Sequence, residues 1–231
     1  MKRFGFTLCM VLALLAVSVC EDDLSTLQKK ADAGDAAAQV KLGRMYVIGA
    51  NGLYRDTHEA VKWFTKSANQ GNADGEYYLG GMYELGLGVP KDLPTAMKWF
   101  DLAAKQGQLD AEFRLARIYD LGKGADKNPG LAAKYYLAAS TKPRPDITDT
   151  VDMRLAQMYE TGEGVKQDYV ESMKWYLKLG DRSFEAQYKI GYFYQHGLGV
   201  KPDRQQALKW YHKSADQHYS NAVDALKEMD K

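Results

Sequence analysis

Five times in 231 residues a tyrosine closes an apolar helical stripe: Tyr46, Tyr83, Tyr119, Tyr159 and Tyr194, at spacings of 37, 36, 40 and 35. A period of this length constrains the fold more than any composition does, because it marks one supersecondary unit built repeatedly and stacked on itself. Tryptophan keeps the same register. All four tryptophans (Trp63, Trp99, Trp175 and Trp210) fall at one position of the unit, and Tyr135 fills it in the third.

Each unit reads as two helices. The first carries its stripe at i, i+3 and i+4, as in Leu42, Met45 and Tyr46 or Leu79, Met82 and Tyr83, which buries one face. A small residue always follows the leading Leu or Ile: Gly43, Gly80, Ala116, Ala156, Gly191. Glycine inside a helix costs about 1 kcal/mol against alanine, so its recurrence there predicts close approach of a neighbouring helix. The second helix carries Ala60, Trp63, Phe64 and Ala68, and later Ala207, Trp210, Tyr211 and Ala215.

Between the two lies "YELGLGVPKDLPTAMKWF", residues 83–100, whose glycines invite comparison with a phosphate cradle. It lacks the preceding strand and the Lys-Ser or Lys-Thr ending of a P-loop, and residues 194–211 repeat it in outline. It is a turn. Gly86 is placed to stop the first helix in the left-handed conformation, Asp92 to cap the second, and Pro94 to sit in its first turn. Val89 is expected as an apolar plug beneath.

This pattern, A-x-x-x-L-G-x-M-Y, then G-x-G-V, then D-x-x-x-A-x-x-W-[FY], resembles the Sel-one-like repeat family, a cousin of the tetratricopeptide repeats. The resemblance runs from residue 36 to about 218 as five units. It implies an all-α fold, a right-handed α/α superhelix (solenoid) of five tandem helix-turn-helix repeats, with first helices lining a concave surface. It also implies a role in holding proteins or peptides together and no fixed chemistry. Some cysteine-rich relatives carry a penicillin-binding or β-lactamase label. The alternative function it suggests is therefore a cell-wall or β-lactam-directed hydrolase or binder, but this sequence lacks those cysteines.

The repeats are expected at about 36–72, 73–108, 109–145, 150–181 and 184–219. Residues 21–35 and 220–230 read as a lone second helix and a lone first helix capping the array, the latter starting from a Ser220 or Asn221 cap. The departures are "GANGLYRD" in the first turn, Ala125 for Val in the third, and "STKPRPDITDT" between repeats three and four. That last segment adds about four residues, and a bend, a contact loop or a tolerated insertion would each account for it.

Residues 1–20 differ in kind. Lys2 and Arg3 precede an uncharged run from Phe4 to Cys20, the pattern of a secretory signal, with cleavage after Ser18 or Cys20. Lipid attachment at Cys20 fits less well, because Val17-Ser18-Val19-Cys20 departs from a lipobox. The expected destination is periplasmic or secreted. Both cysteines lie in this leader, so the remainder stands without an internal disulfide. Without the leader, 29 basic residues face 30 acidic ones, which argues against a nucleic-acid partner.

No catalytic motif, cofactor motif or metal-ligand spacing is present: the four histidines form no H-E-x-x-H and no G-x-S-x-G occurs. The expectation is a non-enzyme without cofactor or metal. The candidate site is instead a set of first-helix positions beside the stripe. Basic residues recur at Lys41, Arg114, Arg154 and Lys189, with Tyr78 in the second unit. Three residues on stand Arg44, Arg117 and Tyr192. One turn further are Val47, Glu84, Asp120, Glu160 and Gln195. These rows suit a groove for an acidic protein or extended peptide, and equally a solvated face of repeat-to-repeat ion pairs. The lysines at 62, 98, 134, 174 and 209 are expected to lay their stems over the aromatic that follows.

Overall fold

The structure, a computed structural model, describes residues 24–142 and 144–230. The leader lies outside the described residues. Among them the secondary structure is wholly helical, in twelve helices that pair in sequence order. The chain divides into two compact units meeting at Trp99 and Phe100. The first holds α1 (Leu24–Asp32), α2 (Ala36–Ile48), α3 (Thr57–Ala68), α4 (Ala73–Leu85) and the start of α5 (Leu93–Lys105). The second holds the rest of α5 and then α6 (Leu109–Leu121), α7 (Pro129–Ser140), α8 (Thr148–Thr161) and α9 (Tyr169–Leu179). It ends with α10 (Phe184–His196), α11 (Arg204–Ala215) and α12 (Ser220–Met229).

The turn works as its residues imply. Gly86 takes φ 72° and its N–H donates to the Met82 carbonyl, ending α4. Asp92 accepts from the Thr95 N–H at 3.2 Å and the Thr95 hydroxyl at 2.6 Å, covering donors that the start of α5 leaves open. Val89 packs into the core below. The second glycine has a separate reason. A Cβ on Gly88 would stand 2.3 Å from the Thr57 carbonyl oxygen, so the turn rests directly on the first residues of α3. Gly164 repeats this contact against Pro129 at 2.2 Å.

The small residue after the stripe is also a matter of space. A Cβ on Gly43 would meet the Phe64 ring at 2.6 Å, and one on Gly191 the Tyr211 ring at 2.7 Å. That second aromatic of the pair, at Phe64, Phe100, Tyr136, Tyr176 and Tyr211, is buried in every repeat. The tryptophan position is shallower: Trp63 and Trp175 are buried, while Trp99, Tyr135 and Trp210 are half-buried. The second helix thus aims its second aromatic at the partner helix and its first toward the rim.

Two expectations need correction. The lysine over the tryptophan is not the one before it. Lys66, Lys178 and Lys213, one turn later, set their ammonium groups 3.7, 3.5 and 4.5 Å from the Trp63, Trp175 and Trp210 ring centres. A helical side chain meets its neighbour at i+3, and the lysines at 62 and 174 turn instead to Glu59 and Glu171. Lys134 does approach the aromatic that follows it, at 5.5 Å from the Tyr135 ring centre. In α12, Ser220 is already helical, and the cap residue Tyr219 makes no side-chain cap bond.

The segment between repeats three and four is tied down. Lys142 donates to the Gly107 carbonyl at 2.7 Å and reaches buried Glu112 at 3.1 Å, while Arg144 pairs with Asp110 at 2.6 Å. Glu112 belongs to a recurring row of buried polar residues. Gln39 and Gln187 occupy the same place and donate to the Ala31 and Gly180 carbonyls, tying each first helix to the end of the helix before it. Asp152 is the fourth repeat's version. It is 3% exposed, and its carboxylate accepts no hydrogen bond among the described residues. Burial pushes its pKa up, against the pull of Lys178 and Arg182.

Candidate interaction surface on the first helices

The basic first-helix row resolves into two kinds of residue. In the second unit, Arg154 on α8 reaches back to Asp120 on α6 with two parallel bonds of 2.8 and 2.6 Å, and also binds Glu163 at 2.7 Å. Asp120 in turn accepts from the Tyr136 hydroxyl at 3.1 Å. The next repeat copies the device: Lys189 on α10 reaches Glu160 on α8 at 2.7 Å, and Glu160 accepts from the Tyr176 hydroxyl at 2.6 Å. Each basic residue therefore bolts its own repeat to the one before. Burial, reinforced by the adjacent carboxylates, holds both tyrosines well above the ordinary phenol range. In the last repeat Gln195 takes the Tyr211 hydroxyl at 2.6 Å.

Glu163 extends the first bolt to the turns. It pairs with Lys127 at 2.8 Å, and Lys127 followed by Arg154 holds its carboxyl below the usual range. Asp120, Arg154, Glu163 and Lys127 form a charge-balanced chain across repeats three and four. In the first unit the same place is apolar. Val47 and Tyr78 pack on the cluster around Phe64, whose ring stacks on Tyr78 at 5.2 Å and 16°.

The candidate arginines Arg114, Arg117 and Arg154 are therefore not three open cations, because Arg154 is held by Asp120 and Glu163. Arg117 is exposed and forms no ion pair among the described residues. Its guanidinium lies 5.8 Å from the Phe113 ring centre. Arg114 is half-buried and engaged. Arg44 is exposed, with its guanidinium 5.4 Å from the Tyr78 ring centre, and Lys41 is exposed on the same helix. Tyr192 joins an aromatic row on α10, 6.4 Å from Tyr188 and 4.1 Å from the His196 ring.

Sequence reading missed that two of these residues come together around a cavity. An open cleft of about 650 Å³ lies on the second unit, with Arg117 and Leu121 of α6 on one side and Met153, Arg154 and Gln157 of α8 on the other. Leu179 closes part of the floor. The signal was present in the exposed apolar residues before the capping glycine of the first three repeats, Ile48, Leu85 and Leu121, a poor choice for a solvated helix end. The described residues hold no group of three His, Cys, Asp or Glu placed to share a metal, and no helix long and apolar enough to cross a membrane.

The Sel1 repeat pattern matches five stretches: residues 36–72, 73–108, 109–142, 153–183 and 184–219. The chain belongs to the Sel1 repeat family. Among solved structures, a protective antigen of uropathogenic Escherichia coli with an SLR fold is 34% identical at a TM-score of 0.72, covering 85% of this chain and 41% of that one. A Sel1 repeat protein of Oxalobacter formigenes is 28% identical at 0.71, covering 90% and 84%. These fix the fold class as the all-α Sel1 repeat array.

Curated relatives match over shorter stretches. HRD3A of Arabidopsis thaliana, a component of an ERAD-associated E3 ubiquitin-protein ligase, is 35% identical over 68 residues, 29% of this chain and 10% of that protein. DAP3-binding cell death enhancer 1 of Rattus norvegicus is 37% identical over 70 residues, 30% of this chain and 13% of its own length. The chain thus spans little more than a tenth of the curated relatives it matches. Sel1 repeat proteins are in general interaction scaffolds, not enzymes.

Proposed function

We propose that this Sel1 repeat chain is an exported scaffold that holds a partner polypeptide against its first helices, on the side that the family's curvature makes concave. The observation that carries the reading is the cleft between α6 and α8, where a cation outside the ion-pair chain and the exposed Leu121 stand on a frame fastened by the Arg154 and Lys189 bolts. Binding sites need such rigid support. Of the eight candidate contacts, Arg117 and Tyr192 in the second unit and Arg44 in the first are the ones offered to a partner, while Lys41 lies on the same helix as Arg44 and Tyr78 supports Arg44 from the Phe64 cluster. Arg114 contributes from a half-buried position, and Arg154 and Lys189 serve mainly by fastening repeats. The partner is a protein or extended peptide with acidic character. Export rests on the leader's charged start and apolar run.

A photo-crosslinking residue at position 157, in the cleft, should capture a partner from the compartment in which the protein resides. The same residue at position 174, on the second-helix side, should not. Equal capture from 174, or none from 157, would move the interface off the first helices. Intact-mass measurement of the recovered protein should show a start between residues 18 and 21. Retention of Met1, or a lipid on Cys20, overturns the export reading.

A further inference from the structure

The charges around the cleft in the second unit can be paired off. Asp120 is bound by Arg154, Arg154 also by Glu163, and Glu163 by Lys127. Asp149, on the rim, is taken by Arg182 at 3.0 Å. What remains is the Arg117 guanidinium. The Arg154 bonds to both Asp120 oxygens also keep that carboxylate from drawing Arg117 inward, and the Phe113 ring lies beside the guanidinium plane. One residual positive charge stands at a space whose other charged walls, Asp120, Asp149 and Arg154, are already paired, and which Leu121, Met153 and Leu179 line with apolar groups.

The apolar part is placed to act with it. Leu121 lies four residues after Arg117 on α6, about 6 Å away on the same face, and is 50% exposed. Met153 faces it from α8, and Leu179 lies below. A volume of about 650 Å³ accepts more than a single ion. A carboxylate alone would leave Leu121 and Met153 in water, and an apolar group alone would leave Arg117 uncompensated.

We infer that this cleft recognises a polypeptide segment presenting one carboxylate side chain beside one large apolar side chain, the carboxylate on Arg117 and the apolar group between Leu121 and Met153. The inference rests on the first helices being the binding face, and it names what that face selects. Side chains two apart on an extended segment, or four apart on a helix, are spaced by roughly the Arg117 to Leu121 distance, so both groups can seat together. A guanidinium takes a carboxylate with two parallel bonds, which makes the acidic position the more selective one.

Panning a displayed library of random heptapeptides on the intact protein tests this. Enriched peptides should carry Asp or Glu within four positions of Leu, Ile, Met or Phe. On Arg117→Glu protein the acidic preference should give way to Lys or Arg, and on Leu121→Asp the apolar preference should vanish. A synthetic end-blocked peptide from the selection should bind Arg117→Gln at least tenfold more weakly than parent. Its affinity for the parent should fall with added salt, and both side chains replaced are exposed enough for the fold to survive. Enrichment without an acidic residue, identical enrichment on Arg117→Glu, or no enrichment at all overturns the inference. If position 157 still cross-links a partner in those cases, the first-helix reading stands and only the selectivity falls.

Discussion

Two glycines in the first unit allow the same substitution to be tested with opposite expected signs. Gly43 on α2 and Gly81 on α4 are both helical. A Cβ on Gly81 meets nothing within 4 Å. Gly81→Ala should therefore show only the gain in helix propensity, about 0.5–1 kcal/mol of added stability. A Cβ on Gly43 lies 2.6, 2.8 and 3.0 Å from three atoms of the Phe64 ring. Ordinary carbon contacts sit near 3.5–4.0 Å, so the ring or the helix must move by roughly 1 Å. Phe64 is 0% exposed and stacked on Tyr78, which leaves it no free direction.

Overpacking of this kind costs about 1–3 kcal/mol, offset by about 1 kcal/mol of propensity, so Gly43→Ala should lose about 1 kcal/mol net. Ala116 and Ala156 hold the equivalent place in repeats whose helices are already spaced for a methyl group, which keeps the cost moderate. Urea unfolding followed by helical circular dichroism gives both values, and Phe64→Leu should rescue Gly43→Ala. Gly43→Ala as stable as Gly81→Ala, or no rescue, would refute the close-approach account of the small residue.

Tyr176→Ala should cost about 3–5 kcal/mol in chemical denaturation, and more than Trp99→Ala, because Tyr176 is fully buried and Trp99 is not. Arg154→Met should destabilise by about 3–5 kcal/mol by stranding Asp120, whereas Arg117→Met should leave the melt unchanged. Asp152→Asn should stabilise at pH 7: the folded pKa is raised, so the penalty is absent below the unfolded value of about 3.9 and grows as pH rises through the folded one. The gain should shrink as pH falls through the raised folded value and be absent below pH about 4, and a gain independent of pH would refute a titrating cause.

Fold class, repeat register, Gly86, Asp92 and Val89 were legible because each is decided within one repeat, by periodicity or by local backbone chemistry. What lay hidden depends on a neighbour. Arg154 and Arg117 look alike in sequence, in adjacent rows three repeat positions apart. Only the side-chain direction that puts Arg154 on Asp120 separates a fastener from an open contact. The same holds for Lys66 over Trp63, where a side chain on the following turn outcompetes the adjacent one. The cleft was hidden for a further reason: it is formed by two helices separated by a whole second helix and the tethered 140–147 segment.

The bolts amount to a rule of succession. A repeat offering Asp120 or Glu160 must be followed by one bearing a cation at the Arg154 position, whereas Val47 is followed by Tyr78. Excising the fourth repeat would bring Lys189 opposite Asp120 and keep the charges matched. Grafting the fifth repeat directly after the first would drive Lys189 onto Val47 and bury an ammonium without a counterion. The order of the repeats is thus written in their contact chemistry, and a shortened array should assemble only where adjacent ends are compatible.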